Sequence, residues 1–199
     1  LAMSKLIEDP ELPPGVVNIV NEDGTAVGRA LVESPNVQVI SFTGSSRTGK
    51  AIMVAAAPTM KRLSLELGGK SPGIVFPDAD LDRAARELAF GALSVAGQFC
   101  MCASRILVHR DIYEDMRDRL AGRFAAVKVG PAASSDSQMG PVIDAPNRAR
   151  LLSLIEQGGR EGRLLVEGTA LDGEHGGGSF LTPTLVEMAT VDSDLVREE

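Results

Sequence analysis

The sequence predicts an α/β fold built from doubly wound parallel sheets, and three observations carry that expectation. Short β-branched apolar runs alternate with amphipathic helical runs in the order strand, helix, strand, helix. The run Val37-Gln38-Val39-Ile40-Ser41-Phe42 is nearly continuous in apolar character, as a parallel strand covered on both faces should be. It ends in Thr43-Gly44 and hands over to a helix, the end of the strand at which such sheets bind ligands.

Taken in order, Leu1 to Glu8 reads as the back half of an amphipathic helix with Leu6 and Ile7 apolar. Leu12-Pro13-Pro14-Gly15 is a turn, because proline fixes φ and glycine permits the reversal. Val16, Val17, Ile19 and Val20 follow as a short strand. A helix from Gly24 to Glu33 stops at Ser34-Pro35, since the residue before proline avoids the helical region. After the strand at Val37 to Phe42, a helix runs from about Ser45 to Ala57. Arg62 to Leu67 is the next strand, and Gly68-Gly69 offers a hinge between domains.

Beyond the hinge, Gly73 to Phe76 is a strand. Asp80 caps a helix whose apolar face begins Leu81, Ala84, Ala85, Leu88 and which delivers Gly97-Gln98-Phe99-Cys100 at its far end. Arg105 to Val108 is a strand that ends at a structural His109. Asp111 to Val127 is a helix with Tyr113, Met116, Leu120 and Phe124 along one stripe. A polar loop at Pro131 to Gln138 leads through Met139-Gly140-Pro141-Val142-Ile143 to another helix. A strand near Leu164 to Glu167, a glycine-rich loop at Gly173 to Ser179 and a strand around Thr184 to Val186 complete the pattern.

Composition narrows the class. With 199 residues, 44% hydrophobic and 24% charged, the chain has the make-up of an ordinary folded protein able to bury a sizeable core. A net charge of −7 argues against a nucleic-acid surface. No apolar run reaches the length of a membrane span, and the opening residues show no signal-peptide pattern. Two cysteines separated by one residue make a poor disulfide framework and suit a reducing cytoplasm.

The chemistry concentrates between Glu66 and Cys100. A carboxylate and a thiol stand at the two ends, each within three residues of a glycine, where a substrate can approach the backbone closely. A thiolate attacks carbonyl carbon readily, and a carboxylate can serve as general base on the water that releases the resulting thioester. Three decoys fall away. Gly44-Ser45-Ser46-Arg47-Thr48-Gly49-Lys50 has P-loop spacing, but Ala51 stands where the metal-binding hydroxyl belongs, which disfavours a nucleotide binder of that kind. Asp78 to Asp82 looks like a calcium loop until Arg83 replaces its essential glycine. Cys100-Met101-Cys102 has the wrong spacing for zinc and finds no partners at His109 or His175, so no metal is expected.

The motifs Ser41-Phe42-Thr43-Gly44-Ser45, Leu65-Glu66-Leu67-Gly68-Gly69-Lys70-Ser71-Pro72 and Gly97-Gln98-Phe99-Cys100, in this order and spacing, resemble the aldehyde dehydrogenase superfamily across essentially the whole chain. The resemblance implies NAD(P)-dependent oxidation of an aldehyde to a carboxylic acid. Cys100 would be the nucleophile and donate an oxyanion hydrogen bond from its backbone N–H, Glu66 would activate the hydrolytic water, and Cys102 would be a bystander able to block Cys100 by forming a disulfide. NAD or NADP would touch Gly24 at a helix start, Phe42, Gly44 and Ser45 at the second strand–helix turn, Leu67 and Gly68 beside the nicotinamide, and Glu199 at its ribose. Asn147 stands where many members carry Gln.

The same resemblance divides the chain into residues 1–68, the C-terminal part of an NAD(P)-binding domain, and residues 69–199, a thiol-bearing catalytic domain. It makes the chain an interior piece of a longer enzyme that forms a homodimer or homotetramer, and the cysteine usage makes that enzyme cytoplasmic. The family's side-chain oxyanion Asn, adenosine-ribose Lys and cofactor-selecting acidic residue would precede residue 1. The alternative is a folded, non-catalytic piece of such an enzyme, which NAD would fail to stabilise.

Overall fold

The computed structural model describes residues 12–171 and 177–198. The helix expected at Leu1 to Glu8 and part of the loop at Gly173 to Ser179 lie outside the described residues. The chain divides into two compact units, Leu1–Leu67 and Gly68–Glu199.

Over its described residues the first unit is a strand–helix–strand crossover with one helix before it. Helix α1 covers Ala26–Glu33, strand β1 Val39–Gly44, helix α2 Ser46–Ala56 and strand β2 Arg62–Leu67. Strands β1 and β2 pair in parallel, with Thr43 opposite Glu66 and Gly44 opposite Leu67. Val32, Ile52 and Ala56 are buried, and Ile40, Phe42, Leu63 and Leu65 of the strands pack against them. Lys61 ties the helix–strand connections together: its ammonium donates to the carbonyls of Ser34, where α1 ends, and Val37, ahead of β1.

Two expectations change here. Val16 to Val20 form no strand: these residues find no partner strand among the described residues, and Val16, Val17, Ile19 and Val20 are exposed. The turn before them does form, with Gly15 at φ +84° and the Val16 N–H on the Pro13 carbonyl. The first helix begins at Ala26 rather than Gly24, because Gly24 sits at φ +127°, a conformation open to glycine and closed to a helix.

The second unit repeats the crossover and adds to it. Strand β3 covers Pro72–Val75, helix α3 Leu81–Leu93, strand β4 Arg105–Val108, helix α4 Tyr113–Ala125, helix α5 Ala145–Glu161, strand β5 Gly162–Val166, strand β6 Leu185–Met188 and helix α6 Asp194–Arg197. Strands β3 and β4 are parallel, whereas β5 and β6 are antiparallel, so the parallel pattern does not extend through the whole unit. Its core is Val75, Ala85, Ala89, Met116, Leu120 and Phe124, with Met116 fully buried. The expected helix from Asp111 divides into a 3₁₀ turn at Arg110–Ile112 and α4 proper. The Tyr113 hydroxyl donates to the Glu187 carboxylate, fastening α4 to β6. Among the described residues no helix is long and apolar enough to cross a membrane.

Candidate active site

In the first unit the site residues gather at the carboxyl ends of the two strands. Gly44 closes β1, and a Cβ there would lie 2.5 Å from the Phe42 ring, so a side chain at this position would have to displace the ring that folds over its own strand. Phe42 is half-buried against the small core, which makes it a packing residue first. Ser45 caps α2, its Oγ accepting from the Thr48 N–H at 3.2 Å and sharing a hydrogen bond with the Thr48 hydroxyl at 3.0 Å. The hydroxyl is exposed beside the open first turn of the helix, with Arg47 and Lys50 on the same helix, an arrangement that fits a phosphate group.

The start of α1 is different. Glu22 folds back so that its two carboxylate oxygens accept from the N–H groups of Val27 at 2.7 Å and Gly28 at 2.9 Å. Those bonds hold the Glu22 carboxyl below its ordinary range, the bond from Gly28 contributing most. Gly24 therefore lies beside a helix start that already carries an anion of the chain's own. Sequence reasoning missed Glu22; an acidic residue just ahead of a helix with no capping bond from Thr25 was the available signal.

Glu66 is the penultimate residue of β2 and its side chain is exposed. Leu67 closes the strand, half-buried, with its side chain lying over Gly49 of α2, where a Cβ would come within 2.8 Å. Gly68 opens the second unit.

In the second unit Cys100 lies on the connection from α3 to β4, at the end of the sheet where β3 begins. Its carbonyl faces Gly69, at 3.4 Å from the position of a Cβ there. The thiol is exposed, whereas Cys102 is buried at 6% and points its Sγ to the Ser94 carbonyl at 3.6 Å. Among the described residues the Cys100 N–H has no hydrogen-bond partner. The neighbouring turn is closed instead by the Cys102 N–H on the Phe99 carbonyl at 2.9 Å.

The backbone leading to Cys100 is strained. After α3, Val95 (φ 53°, ψ 38°), Ala96 (φ 55°, ψ 37°) and Gly97 (φ +72°) are all left-handed. This conformation costs roughly 1–2 kcal/mol for each residue bearing a Cβ and is least suited to a β-branched valine. Gln98 closes the turn. Its N–H and its Nε2 both donate to the Val95 carbonyl at 3.1 Å, and its Oε1 accepts from the Ile143 N–H at 2.9 Å. Asn147 sits in the first turn of α5, its N–H on the Asp144 carboxylate and its side-chain oxygen accepting from Arg150. Glu199 lies outside the described residues.

Comparison with known proteins bears on the whole chain. The model of the aldehyde dehydrogenase family matches residues 1–199. Aminoaldehyde dehydrogenase 1, peroxisomal, of Malus domestica is 37% identical over 199 residues, which are 100% of this chain and 40% of that protein. A solved NAD+ complex of an aldehyde dehydrogenase from Bacillus cereus superposes with a TM-score of 0.93 at 38% identity, covering 100% of this chain and 40% of the other. HpcC from Thermus thermophilus gives a TM-score of 0.93 at 37% identity, with 100% and 39% covered. The chain thus spans about 40% of the length of the proteins it matches.

Proposed function

Starting from the family to which this chain belongs, that of the aldehyde dehydrogenases, we propose that it carries the nucleophile and the hydrolytic base of an enzyme that oxidises an aldehyde to a carboxylic acid with NAD or NADP. The observation that carries the reading is the state of the two thiols: Cys100 is exposed at the end of a strained turn, its N–H without a partner among the described residues, whereas Cys102 is buried.

Cys100, as thiolate, forms the S–C bond to the aldehyde carbonyl, and its N–H stabilises the oxyanion of the thiohemiacetal. NAD or NADP, when bound, would supply the hydride acceptor this oxidation needs. Glu66 takes a proton from water, whose oxygen attacks the thioester carbon; the C–S bond breaks, the acid leaves and the thiolate is restored. The exposed Gly44–Ser45 turn supports a seat for the dinucleotide diphosphate, while Gly24, with the N–H groups of α1 taken by Glu22, is the weaker of the two helix starts for that role. In this reading Leu67 and Gly68 would lie beside the nicotinamide, and Glu199 would hold its ribose.

Residues 1–68 then belong to the cofactor domain and residues 69–199 to the catalytic domain. The complete protein would be a homodimer or homotetramer, as the family resemblance implies. The pair of unbridged thiols supports a reducing compartment such as the cytoplasm, although the Malus domestica relative bears a peroxisomal name.

Glu66→Gln tests the assignment. The variant should form NADH in a single burst and accumulate an acyl adduct on Cys100 visible by intact mass. Sustained turnover by Glu66→Gln with no adduct would remove Glu66 from the mechanism.

A further inference from the structure

We propose that Gln98 is a positioning residue for this reaction: it holds the Val95–Cys100 turn in the one conformation that aims the Cys100 N–H at the developing oxyanion. The inference rests on the nucleophile reading above and adds the device that makes the nucleophile's backbone a usable donor.

The geometry is a two-sided clamp. On one side the Val95 carbonyl receives two donors from Gln98, the main-chain N–H and Nε2, so the left-handed turn is closed twice through the same residue. On the other side Gln98 Oε1 accepts from the N–H of Ile143, 45 residues along the chain. The Ile143 end is anchored: Met139 and Val142 are buried, and the Val142 N–H is held by the Ser179 carbonyl at 3.0 Å. A run of left-handed residues persists only where its surroundings over-determine it, and such runs recur where a structure must present a group at a fixed angle. Here the over-determination comes from one amide, which uses both its donor and its acceptor. Glutamate at this position keeps the acceptor for Ile143 and loses the donor to Val95; methionine has about the same length and loses both.

Two reactions of the same thiol separate aim from integrity. Acylation by p-nitrophenyl acetate forms the S–C bond, passes through a tetrahedral oxyanion and expels p-nitrophenolate, so it needs the N–H. Alkylation by iodoacetamide forms an S–C bond and expels iodide with no oxyanion. Both are followed at Cys100 by peptide mass, with Cys102 as internal reference. Gln98→Met should slow acylation by about tenfold to hundredfold, approaching the loss of an oxyanion donor, and change alkylation by less than about threefold; Gln98→Glu should fall between Gln98→Met and the unsubstituted protein. Equal acylation in Gln98→Met and the unsubstituted protein overturns the inference. A parallel fall of both reactions in both variants overturns it too, since that marks collapse of the loop. Failure of the unsubstituted protein to acylate at Cys100 while Cys100 still alkylates removes the nucleophile reading itself, and the inference with it.

Discussion

The two parallel crossovers of this chain share a connection and differ in what surrounds it. In the first, β1–α2–β2, a single layer of helix meets the strands, and the buried apolar cluster among the described residues is small: Val32, Ile52 and Ala56. In the second, β3–α3–β4, helix α4 closes over α3 and the core gains Met116, Leu120 and Phe124. The candidate groups differ in place as well. Gly44, Ser45 and Glu66 lie at the carboxyl ends of strands, where the rule for open α/β sheets expects ligands, whereas Cys100 lies on the return from helix to strand, at the opposite edge of its own sheet. The well-packed crossover can hold strained backbone at Val95 and Ala96, and that is where the strain is found.

Substitutions sharpen this contrast, beginning with the largest effect. On the proposed function, Cys100→Ala in the full-length enzyme should abolish both the NADH burst and steady turnover in a stopped-flow assay, whereas Glu66→Gln should spare the burst; equal loss of the burst in both variants would erase the division of labour between the two residues. Next in size, Met116→Ala should destabilise by about 2–5 kcal/mol in urea denaturation, with Ile52→Ala at the low end of that range because its smaller core can relax around it. Helix caps should not distinguish the units: Ser45→Ala and Asp80→Ala, each losing one bond to a first-turn N–H, should cost about 1 kcal/mol apiece. The smallest effect is electrostatic and confined to the first unit. The Glu22 carboxyl is depressed in the folded state, so its contribution is complete above the ordinary carboxylate range and fades as pH falls through the lowered value. Hydrogen exchange at Val27 and Gly28 should accelerate across that acidic window, and Glu22→Gln should flatten the dependence.

Much of the fold was legible because local signals agreed with tertiary ones. Strands Arg62–Leu67 and Arg105–Val108 fall where their apolar runs lie, and Ser45 and Asp80 cap the helices they precede. Val16 to Val20 read as a strand because composition records β-propensity and not whether a partner strand is at hand. The thiol and carboxylate stood out through their motifs. The clamp at Gln98 did not, for two physical reasons: left-handed Val95 and Ala96 run against every local propensity, and a side-chain bond to Ile143 leaves no periodic trace.

Tyr113 gives the two units separate optical identities. The chain has one tyrosine and no tryptophan, so near-ultraviolet emission comes from the second unit alone, and the first is dark apart from Phe42. Burial, followed by the bond to Glu187, raises the phenol to about 12, and tyrosinate absorbance below that pH should therefore rise only where α4 has parted from β6. A melt followed by tyrosine would watch the unit that carries Cys100 and miss the unit that carries Glu66 altogether; circular dichroism beside it would show whether the darker unit lets go first.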